Sequence, residues 1–409
     1  MLSKTFAIDQ EINLPPLAGQ ELFWSSKELT LTGIGETARV TTQPLSKTKV
    51  ENQPLEGIVS ENHMGRKLLP GEGPCAFAAF PFNPTKETEI VIPRILLGEH
   101  STGQRWVTYI GDNDQPTDEI MEEILSTNRN PHFVSPTEIQ VTSPIEPEIW
   151  RDEKVTSVTN LINRSEVEKV VLARELILTA NTEIPVNPIL AKLRETHGNA
   201  MIFNIDGFIG ASPELLVSRF ENSVRANPLA GTVTRYSDKA VDDESKQKLL
   251  DSTKDAYEHK VTIEWLLREL LSFCSFVDAD PEPKIVSLPH VHHLGTEVNG
   301  HLSQPPASIL ELVAALHPTP AVAGDPQPNA LEIIQSIEGI DRQRYAGPVG
   351  WFDASGNGEF AVGIRSAEII GNSAHLFAGV GLVADSEPQS ELDETRSKFQ
   401  TMLSTIINL

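Results

Sequence analysis

The chain has 409 residues, of which 39% are hydrophobic and 22% are charged. This composition excludes a disordered chain, and the length suits one large domain or two ordinary ones. The formal net charge of -24, without any basic run, argues against binding to nucleic acid or to an anionic membrane, since both need clustered Lys and Arg. An anionic substrate therefore needs individual cations or a metal ion to overcome the repulsive overall field.

Two cysteines, Cys75 and Cys274, are too few for a disulfide framework or a thiolate zinc site. The N-terminus lacks the apolar segment of a signal peptide, and no run of about 18 apolar residues is present that would predict a membrane span. The simplest location is the cytoplasm.

The order of predicted elements changes near residue 150. Short strands are predicted before it, at 21–26, 29–33, 75–82 and 89–93. Residues 135–147 are rich in Pro, Glu and Thr, which predicts a solvated connection. Beyond it, strands are predicted at 169–174, 201–205 and 215–220, and helices at 151–164, 188–197, 252–273, 308–316, 330–337 and 390–407. Strands come in runs with helices between them, which indicates an α+β fold with antiparallel sheets and not a doubly wound sheet. The sequence contains no visible repeat of about 20–50 residues, which argues against a solenoid.

Residues 345–398 are the most informative part of the chain. Three short apolar runs, each predicted to be a strand, are interrupted by glycines that leave room for close approach to the backbone. They carry one cation, Arg365, and a helix follows that opens with Glu391 and Glu394. This pattern suggests a pocket for a small carboxylate ligand with a hard metal ion.

A second pair of acids, Asp255 and Glu258, has the same i, i+3 spacing in the first turn of a predicted helix. The helix dipole alone favours acids at such positions, and this alternative is the stronger one for an isolated pair. Two such helix starts facing each other would supply the oxygen ligands that suit Mg²⁺ with its waters. The sequence does not show whether they face each other.

Single ionisable residues give weaker signals. Lys169 lies in an apolar strand and is either an edge lysine in solvent or a desolvated base. Glu214, flanked by apolar residues, is either a protonated acid or an ordinary turn acid after Pro213, and alone the turn acid is favoured. Lys398 lies four residues after Glu394, which also fits a helix-face ion pair.

Two segments, residues 228–232 and 317–324, are predicted to be tight loops that present N–H groups and hydroxyls to an anion. The histidines lack metal-ligand spacing. His292 and His293 are predicted to lie in packing or at the surface.

Taken in order, the motifs from about residue 165 to the end resemble the chorismate-utilising enzymes. This family includes isochorismate synthases, salicylate synthases and the large subunits of anthranilate and aminodeoxychorismate synthases. The motifs are Glu168-Lys-Val-Val-Leu-Ala-Arg, Gly210-Ala-Ser-Pro-Glu-Leu-Leu, Leu229-Ala-Gly-Thr, Lys254-Asp-Ala-Tyr-Glu-His, Leu316-His-Pro-Thr-Pro-Ala, Gly347-Pro-Val-Gly-Trp, Ile364-Arg, Phe377-Ala-Gly-Val-Gly and Glu391-Leu-Asp-Glu-Thr-Arg-Ser-Lys. The resemblance implies one α+β domain over residues 1–409, with a strand-rich variable part at 1–150 and a catalytic part at 151–409 around a deep pocket.

Within this family the pattern is most similar to isochorismate synthases. Lys169 matches the lysine that serves as general base in the water-using members, and Glu214 matches the general acid. Anthranilate-forming members lack lysine at the first position. Ala230 stands where aminodeoxychorismate synthases carry a nucleophilic lysine, so the resemblance closes that route and implies no glutaminase subunit.

The resemblance also implies a ligand set. Glu258 and Glu394 match direct Mg²⁺ ligands, and Asp255 and Glu391 match positions that act through water. The residues that match substrate contacts are Gly231, Thr232, Ala321, Tyr345, Ile364, Arg365, Gly379, Gly381 and Lys398. Leu392 replaces a common aromatic residue, a departure expected to alter packing only.

The expected reaction interconverts chorismate and isochorismate, an isomerase activity in which water adds at C2 and the C4 hydroxyl leaves. Ile364 is associated with isochorismate producers, whereas Tyr345 is also found in salicylate synthases. A salicylate synthase that also eliminates pyruvate, and a relative that only binds chorismate, are therefore alternatives. Chorismate is the expected small-molecule partner. The sequence is compatible with a monomer but does not define the oligomeric state. It also does not show whether the product is used for siderophore, menaquinone or salicylate synthesis.

Overall fold

The computed structural model describes residues 1–8, 22–45, 53–126 and 134–409. The strands are β1 (Leu2–Ile8), β2 (Leu22–Ser25), β3 (Leu29–Thr42), β4 (Val59–Asn62), β5 (Cys75–Ala79), β6 (Thr88–His100), β7 (Arg105–Gly111), β8 (Ile139–Thr142), β9 (Lys169–Ala180), β10 (Met201–Ile205), β11 (Phe208–Ser212), β12 (Leu215–Phe220), β13 (Ser223–Asn227), β14 (Leu229–Thr234), β15 (Cys274–Ala279), β16 (Lys284–Ser287), β17 (Val291–Gly295), β18 (Val298–Leu302), β19 (Gly324–Asp325), β20 (Pro348–Asp353), β21 (Gly358–Val362), β22 (Ser366–Ile370) and β23 (Ser373–Leu382).

Helices lie mostly in the second half of the chain. They are α1 (Thr117–Ser126), α2 (Pro147–Ile149), which continues through a π-helical turn (Trp150–Val155) into α3 (Thr156–Asn163), α4 (Val186–Thr196), α5 (Lys239–Asp251), α6 (Thr253–Leu271), α7 (Ile309–Leu316), α8 (Gln327–Ile337) and α9 (Pro388–Ile407). None of the helices in the described ranges is long and apolar enough to cross a membrane.

The long strand β6 joins two arms of one large sheet. It pairs with β3 along one edge, while its other edge pairs with β5 at Ile90 and Val91 and with β7 at residues 95–99. One arm continues from β3 through β2, β10, β11, β22, β23 and β9 to β8. The other continues from β5 through β20, β21, β12, β13 and β18 to β15. These pairings are antiparallel, so the predicted α+β fold with antiparallel sheets is confirmed.

Apolar side chains from both arms share one buried cluster. Trp24 and Phe203 of the first arm pack there with Phe77 and Trp351 of the second. The Trp24 indole also donates a hydrogen bond of 2.9 Å to Glu359 on β21. The two arms therefore form layers that enclose a common core, as amphipathic sheets require.

Helices cover the outer faces of these layers. Side chains of α4 and α9 pack on β9, β11 and β23 of the first arm, and α7 and α8 contribute to the large cluster that includes strands of the second arm. A smaller sheet, β14–β17–β16, lies beside α5 and α6. These outer elements matter for function because α6, α9 and β14 each contribute side chains to the pocket described below.

Most predicted helices occur within a few residues of their expected bounds. Ser252 caps α6, and Ser308 forms a capping box with Glu311 at the start of α7, both readable local signals. Two helices were missed, α1 and α5. The connection predicted at 135–147 was wrong in part, since it contains β8, an exposed edge strand held by backbone pairing with β9. Residue 21 of the first predicted strand lies outside the described residues, and the one-domain organisation of 1–409 stays a prediction.

Candidate active site

One pocket collects every site residue that the sequence singled out. Strands β9, β14 and β23, helices α6 and α9 and the segments around residues 321, 345 and 365 form its walls. Its lining includes Lys169, Glu214, Gly231, Thr232, Asp255, Glu258, Ala321, Tyr345, Ile364, Arg365, Gly379, Gly381, Glu391, Glu394 and Lys398. These residues are spread over more than half of the chain, so only the tertiary fold brings them together.

Lys169 is the first residue of β9 and is buried, with 6% of its surface exposed. Its Nζ forms an ion pair with Oε1 of Glu258 on α6. The alternative of an edge lysine in solvent is therefore wrong. The contact holds the Lys169 amine in the pocket wall beside Glu258, which lies 89 positions later in the sequence.

Glycine at 381 makes this contact possible. A Cβ atom built there would lie 2.7 Å from Oε1 of Glu258 and 2.8 Å from Cε of Lys169, distances that real Cβ atoms do not tolerate. Gly379, two residues earlier on the same face of β23, would bring a Cβ within 3.1 Å of the Tyr345 hydroxyl. The glycine pattern noted in the sequence therefore makes room for side chains of the pocket, and its use by a ligand stays a prediction.

Helix α9 supplies two acids and a lysine to the pocket. It begins at Pro388, and its first three turns place Glu391, Glu394 and Lys398 on the pocket. Lys398 Nζ lies 2.6 Å from Oε1 of Glu394 and donates a 2.8 Å hydrogen bond to the carbonyl of Gly379. The ion pair between Lys398 and Glu394, which their spacing in the sequence predicted as an alternative, is therefore present. It faces the pocket.

Helix α6 presents Asp255 and Glu258 in the same way. The Ser252 hydroxyl accepts a 3.1 Å hydrogen bond from the Asp255 amide, so the pair begins at a capped helix end. The two acids therefore lie at the start of the helix, where its dipole favours them, and they also line the pocket. The two acid pairs, from α6 and α9, line the same cavity.

The donor chemistry of this pocket fits a magnesium ion. Within the described ranges, no group of three or more His, Cys, Asp or Glu side chains is arranged closely enough to hold a metal by itself. Mg²⁺ does not need such a cage, since it keeps several waters and commonly takes one or two carboxylates together with oxygens of the substrate. Glu258 and Glu394 offer carboxylates of this kind, and no cysteine is among the described residues that line the pocket, so no thiolate favours a softer metal.

Glu214 lies between β11 and β12, and only 3% of its surface is exposed. Burial raises the pKa of its carboxyl to about 7, against the opposing effects of the Leu229 amide and the charges of Arg365, Lys169 and Lys398. An ordinary turn acid would be solvated, so that alternative is wrong. At neutral pH this group is poised to donate a proton.

Arg365 is a buried cation with a left-handed backbone, φ 53°. Such a conformation is strained in a residue other than glycine, and strained residues are often found at functional sites. Its Nη2 donates a 3.0 Å hydrogen bond to Nε2 of His293. No carboxylate of the described ranges forms an ion pair with it, whereas Lys169, Lys398 and the nearby Arg342 each have one.

Sequence reasoning missed His293 as a pocket residue. It was predicted to lie in packing or at the surface, and it is buried, yet it lines the pocket from β17, opposite Thr232 of β14. The segment around Thr232 was predicted as a loop and is a strand, with a bulge between Ala230 and Thr232 where Gly231 has φ 68°. Spacing along the chain gives no signal for this pairing, because the register of two strands decides it.

Arg342 was also missed, and its role is to build the wall. Its guanidinium pairs with Glu338 at 2.6 Å and donates hydrogen bonds to the carbonyls of Val171 and Val322, both on the pocket. Beside it, the Tyr345 ring stacks on Phe377, with centroids 5.3 Å apart. The aromatic and aliphatic part of the pocket is therefore rigidly supported.

Comparison with known proteins agrees with this architecture. The model of the family described as chorismate binding enzyme matches residues 10–407, so the chain belongs to this family. It is 32% identical to the isochorismate synthase MenF of Bacillus subtilis (strain 168), over 95% of this chain and 88% of that protein. Its α+β fold is that of the chorismate-utilising enzymes.

Two solved structures share this fold. A putative 2,3-dihydroxybenzoate-specific isochorismate synthase, DhbC from Bacillus anthracis, superposes with a TM-score of 0.76 and 31% identity, over 95% of this chain and 96% of that one. MenF, the menaquinone-specific isochorismate synthase from Escherichia coli, gives a TM-score of 0.80 over 99% and 94% of the two chains. Its 24% identity supports the fold alone.

The Gly381→Ala substitution tests whether the Lys169–Glu258 contact needs its glycine. The new methyl group would displace both side chains, and misplacement of about 1 Å can lower a rate by about 10²-fold. We expect kcat/KM on chorismate to fall by about that factor, with the protein still folded by circular dichroism. Gly198→Ala is the matched control, because a Cβ there has no neighbour within 4 Å. Equal kcat/KM values for the two variants would contradict this account.

Proposed function

We propose that this protein is a Mg²⁺-dependent isochorismate synthase that interconverts chorismate and isochorismate. The observation that carries the proposal is a buried amine and a buried carboxyl, Lys169 and Glu214, lining one pocket with Arg365. An amine that accepts a proton and a carboxyl that donates one are the two groups that a hydroxyl exchange on a ring requires. Relatives named isochorismate synthase at about 30% identity support the same choice.

In the proposed reaction, Lys169 takes a proton from a water that attacks C2 of the ring. Glu214 protonates the hydroxyl that leaves C4, and the double bonds shift between the two positions. Only a neutral amine accepts a proton, so turnover needs Lys169 released from its contact with Glu258. Arg365 and Lys398 are proposed to hold the substrate carboxylates, which offsets the repulsion from a net charge of -24.

Glu258 and Glu394 are proposed to hold the magnesium ion, with Asp255 and Glu391 acting through water. When bound, the ion supplies positive charge and a fixed position for a carboxylate of the substrate. Gly231, Thr232, Gly379 and Gly381 are proposed to complete the substrate surface together with Ala321, Tyr345 and Ile364.

One observation keeps a salicylate synthase as the second candidate. Tyr345 is the residue that salicylate synthases also carry, and here its hydroxyl lies against Gly379 in the pocket wall. Loss of pyruvate requires the enolpyruvyl group to be held over C2, and side chains such as Tyr345 and Ile364 set that conformer. We weigh Ile364 more heavily and propose isochorismate as the main product.

A time course with chorismate and Mg²⁺, followed by chromatography, tests the function. We expect isochorismate to accumulate, with at most slow formation of salicylate. Stoichiometric salicylate and pyruvate without isochorismate would assign the second candidate instead. If chorismate stays unchanged in the presence of folded, Mg²⁺-loaded protein, both enzymatic proposals are refuted. The remaining alternative is then a relative that only binds chorismate.

The proposed base and acid can be tested separately. Lys169→Ala should lower kcat by about 10²–10⁴-fold, the usual contribution of a general base, while chorismate still binds. Lys260→Ala, an exposed lysine on α6, is the matched control and should keep wild-type turnover. Wild-type kcat in folded Lys169→Ala protein would contradict the assignment.

The pH profile reports on Glu214. Its pKa is raised to about 7, so the protonated acid is present below that value and is lost as pH rises through it. The wild-type kcat/KM should therefore fall above about pH 7, since this parameter reports the free enzyme. Glu214→Gln should be nearly inactive, and its residual rate should lack this basic limb. A limb that persists in Glu214→Gln belongs to another group.

Chelation and carboxylate variants test the metal proposal. Exhaustive EDTA should abolish turnover, and added Mg²⁺ should restore it. Glu258→Ala and Glu394→Ala should remove activity and Mg²⁺ binding, whereas Asp255→Ala and Glu391→Ala should have milder effects. Glu264→Ala and Asp393→Ala, exposed acids on the same two helices, are controls expected to bind Mg²⁺ normally. Full activity after EDTA treatment would exclude the metal requirement.

A further inference from the structure

The imidazole of His293 connects two parts of the pocket. Its Nδ1 donates a 2.9 Å hydrogen bond to the carbonyl of Gly231, at the bulge of β14, and also lies 3.2 Å from the hydroxyl of Thr232. Its Nε2 accepts the 3.0 Å hydrogen bond from Nη2 of Arg365. The ring is 95% buried, so both bonds are shielded from competing water.

These two partners define the tautomer of the ring. A carbonyl oxygen can only accept, so Nδ1 must carry the hydrogen, and a guanidinium can only donate, so Nε2 must offer its lone pair. The imidazole is therefore neutral. Its pKa is lowered well below the usual range by burial and by the charges of Arg365 and Lys398, which agrees with the geometry.

A neutral partner is unusual among the cations of this pocket. Lys169 contacts Glu258, Lys398 contacts Glu394 and Arg342 contacts Glu338, so each of these charges is largely compensated within the protein. In the part of the chain that the structure describes, Arg365 has no carboxylate at ion-pairing distance. Its orientation is set by a group that leaves its positive charge available to a ligand.

We propose that His293 is a positioning residue that aims the Arg365 guanidinium at a substrate carboxylate without neutralising it. The inference rests on the proposed function only in taking that carboxylate to be one of chorismate. Gly231 acts as the anchor, because its carbonyl holds the imidazole in the one tautomer that can accept from arginine. The bulge in β14 thereby controls the orientation of a cation that β14 does not itself carry.

Three substitutions separate orientation from charge. His293→Phe keeps the ring but removes the acceptor, and the KM for chorismate should rise by about 10- to 100-fold, the usual effect of losing one hydrogen bond to a charged group. His293→Gln places a neutral acceptor near the former Nε2 and should restore KM to within about fivefold of wild type. His293→Glu also accepts but neutralises Arg365, and it should raise KM at least as much as His293→Phe. Equal KM values in all three variants and wild type would refute the proposal.

Two controls exclude a general effect on the fold. His292→Phe changes the adjacent buried histidine, which contacts Asp242 and Ser287 and does not line the pocket, so it should lower Tm without raising KM. In an Arg365→Met background, His293→Phe should have no further effect on kcat/KM, because its action passes through Arg365. Additive losses in the double variant would show that His293 acts independently and would overturn the inference.

A measurement on the wild-type protein does not depend on any variant folding. Nitrogen NMR of ¹⁵N-histidine-labelled protein should show a buried neutral imidazole with the hydrogen on Nδ1, and a charged or Nε2-protonated His293 would overturn the inference. Failure of the proposed function is distinguishable, because wild-type protein would then form no isochorismate from chorismate, whatever the role of His293. Turnover by wild type together with a normal KM in His293→Phe would refute the role of His293 alone.

Discussion

The burial of opposite charges around one cavity is the constraint on which the rest of this structure depends. Lys169 meets Glu258 across β9 and α6, whereas Lys398 meets Glu394 and Arg342 meets Glu338 one helical turn apart in the chain. Removing one member of such a buried pair would leave a charge without compensation, at a cost of about 3–5 kcal/mol. The ion pair of Lys169 with Glu258 and the hydrogen bond of Lys398 to the Gly379 carbonyl therefore hold α6 and α9 against the sheet, together with apolar packing.

The register of β23 against β9 determines which residues lie beside the Lys169–Glu258 ion pair. Gly379 and Gly381 of β23 pair with Ala173 and Val171 of β9, so the strand that carries Lys169 lies directly beside the two glycines. A side chain at 381 would displace Lys169 and Glu258 from their present positions. A one-residue slip would turn the glycines to the other face and bring bulky side chains against the ion pair.

The electrostatics of the pocket differ from those of the whole molecule. A net charge of -24 repels anions, yet the pocket holds Arg365, which has no carboxylate at ion-pairing distance in the described ranges, and Glu214, whose carboxyl has a pKa of about 7. These features are local: burial raises the pKa of Glu214, and it strengthens interactions over short distances so that the overall field matters less in the pocket. They are the properties that a catalyst for an anionic substrate requires, and they support the function proposed above.

Local patterns in the sequence determined much of this protein: the α+β class, the starts of α6 and α7 at capping serines, and the motif residues from Lys169 to Lys398. Each of these depends on neighbours within a few positions. The tertiary structure alone decided the rest. The edge strand β8 forms through backbone pairing without an apolar signal, and α5 has mostly exposed side chains, so neither shows a readable periodicity. His293 reaches the pocket because β17 pairs with β14 in one register, and the neutral partner of Arg365 follows from that pairing, which no local spacing encodes.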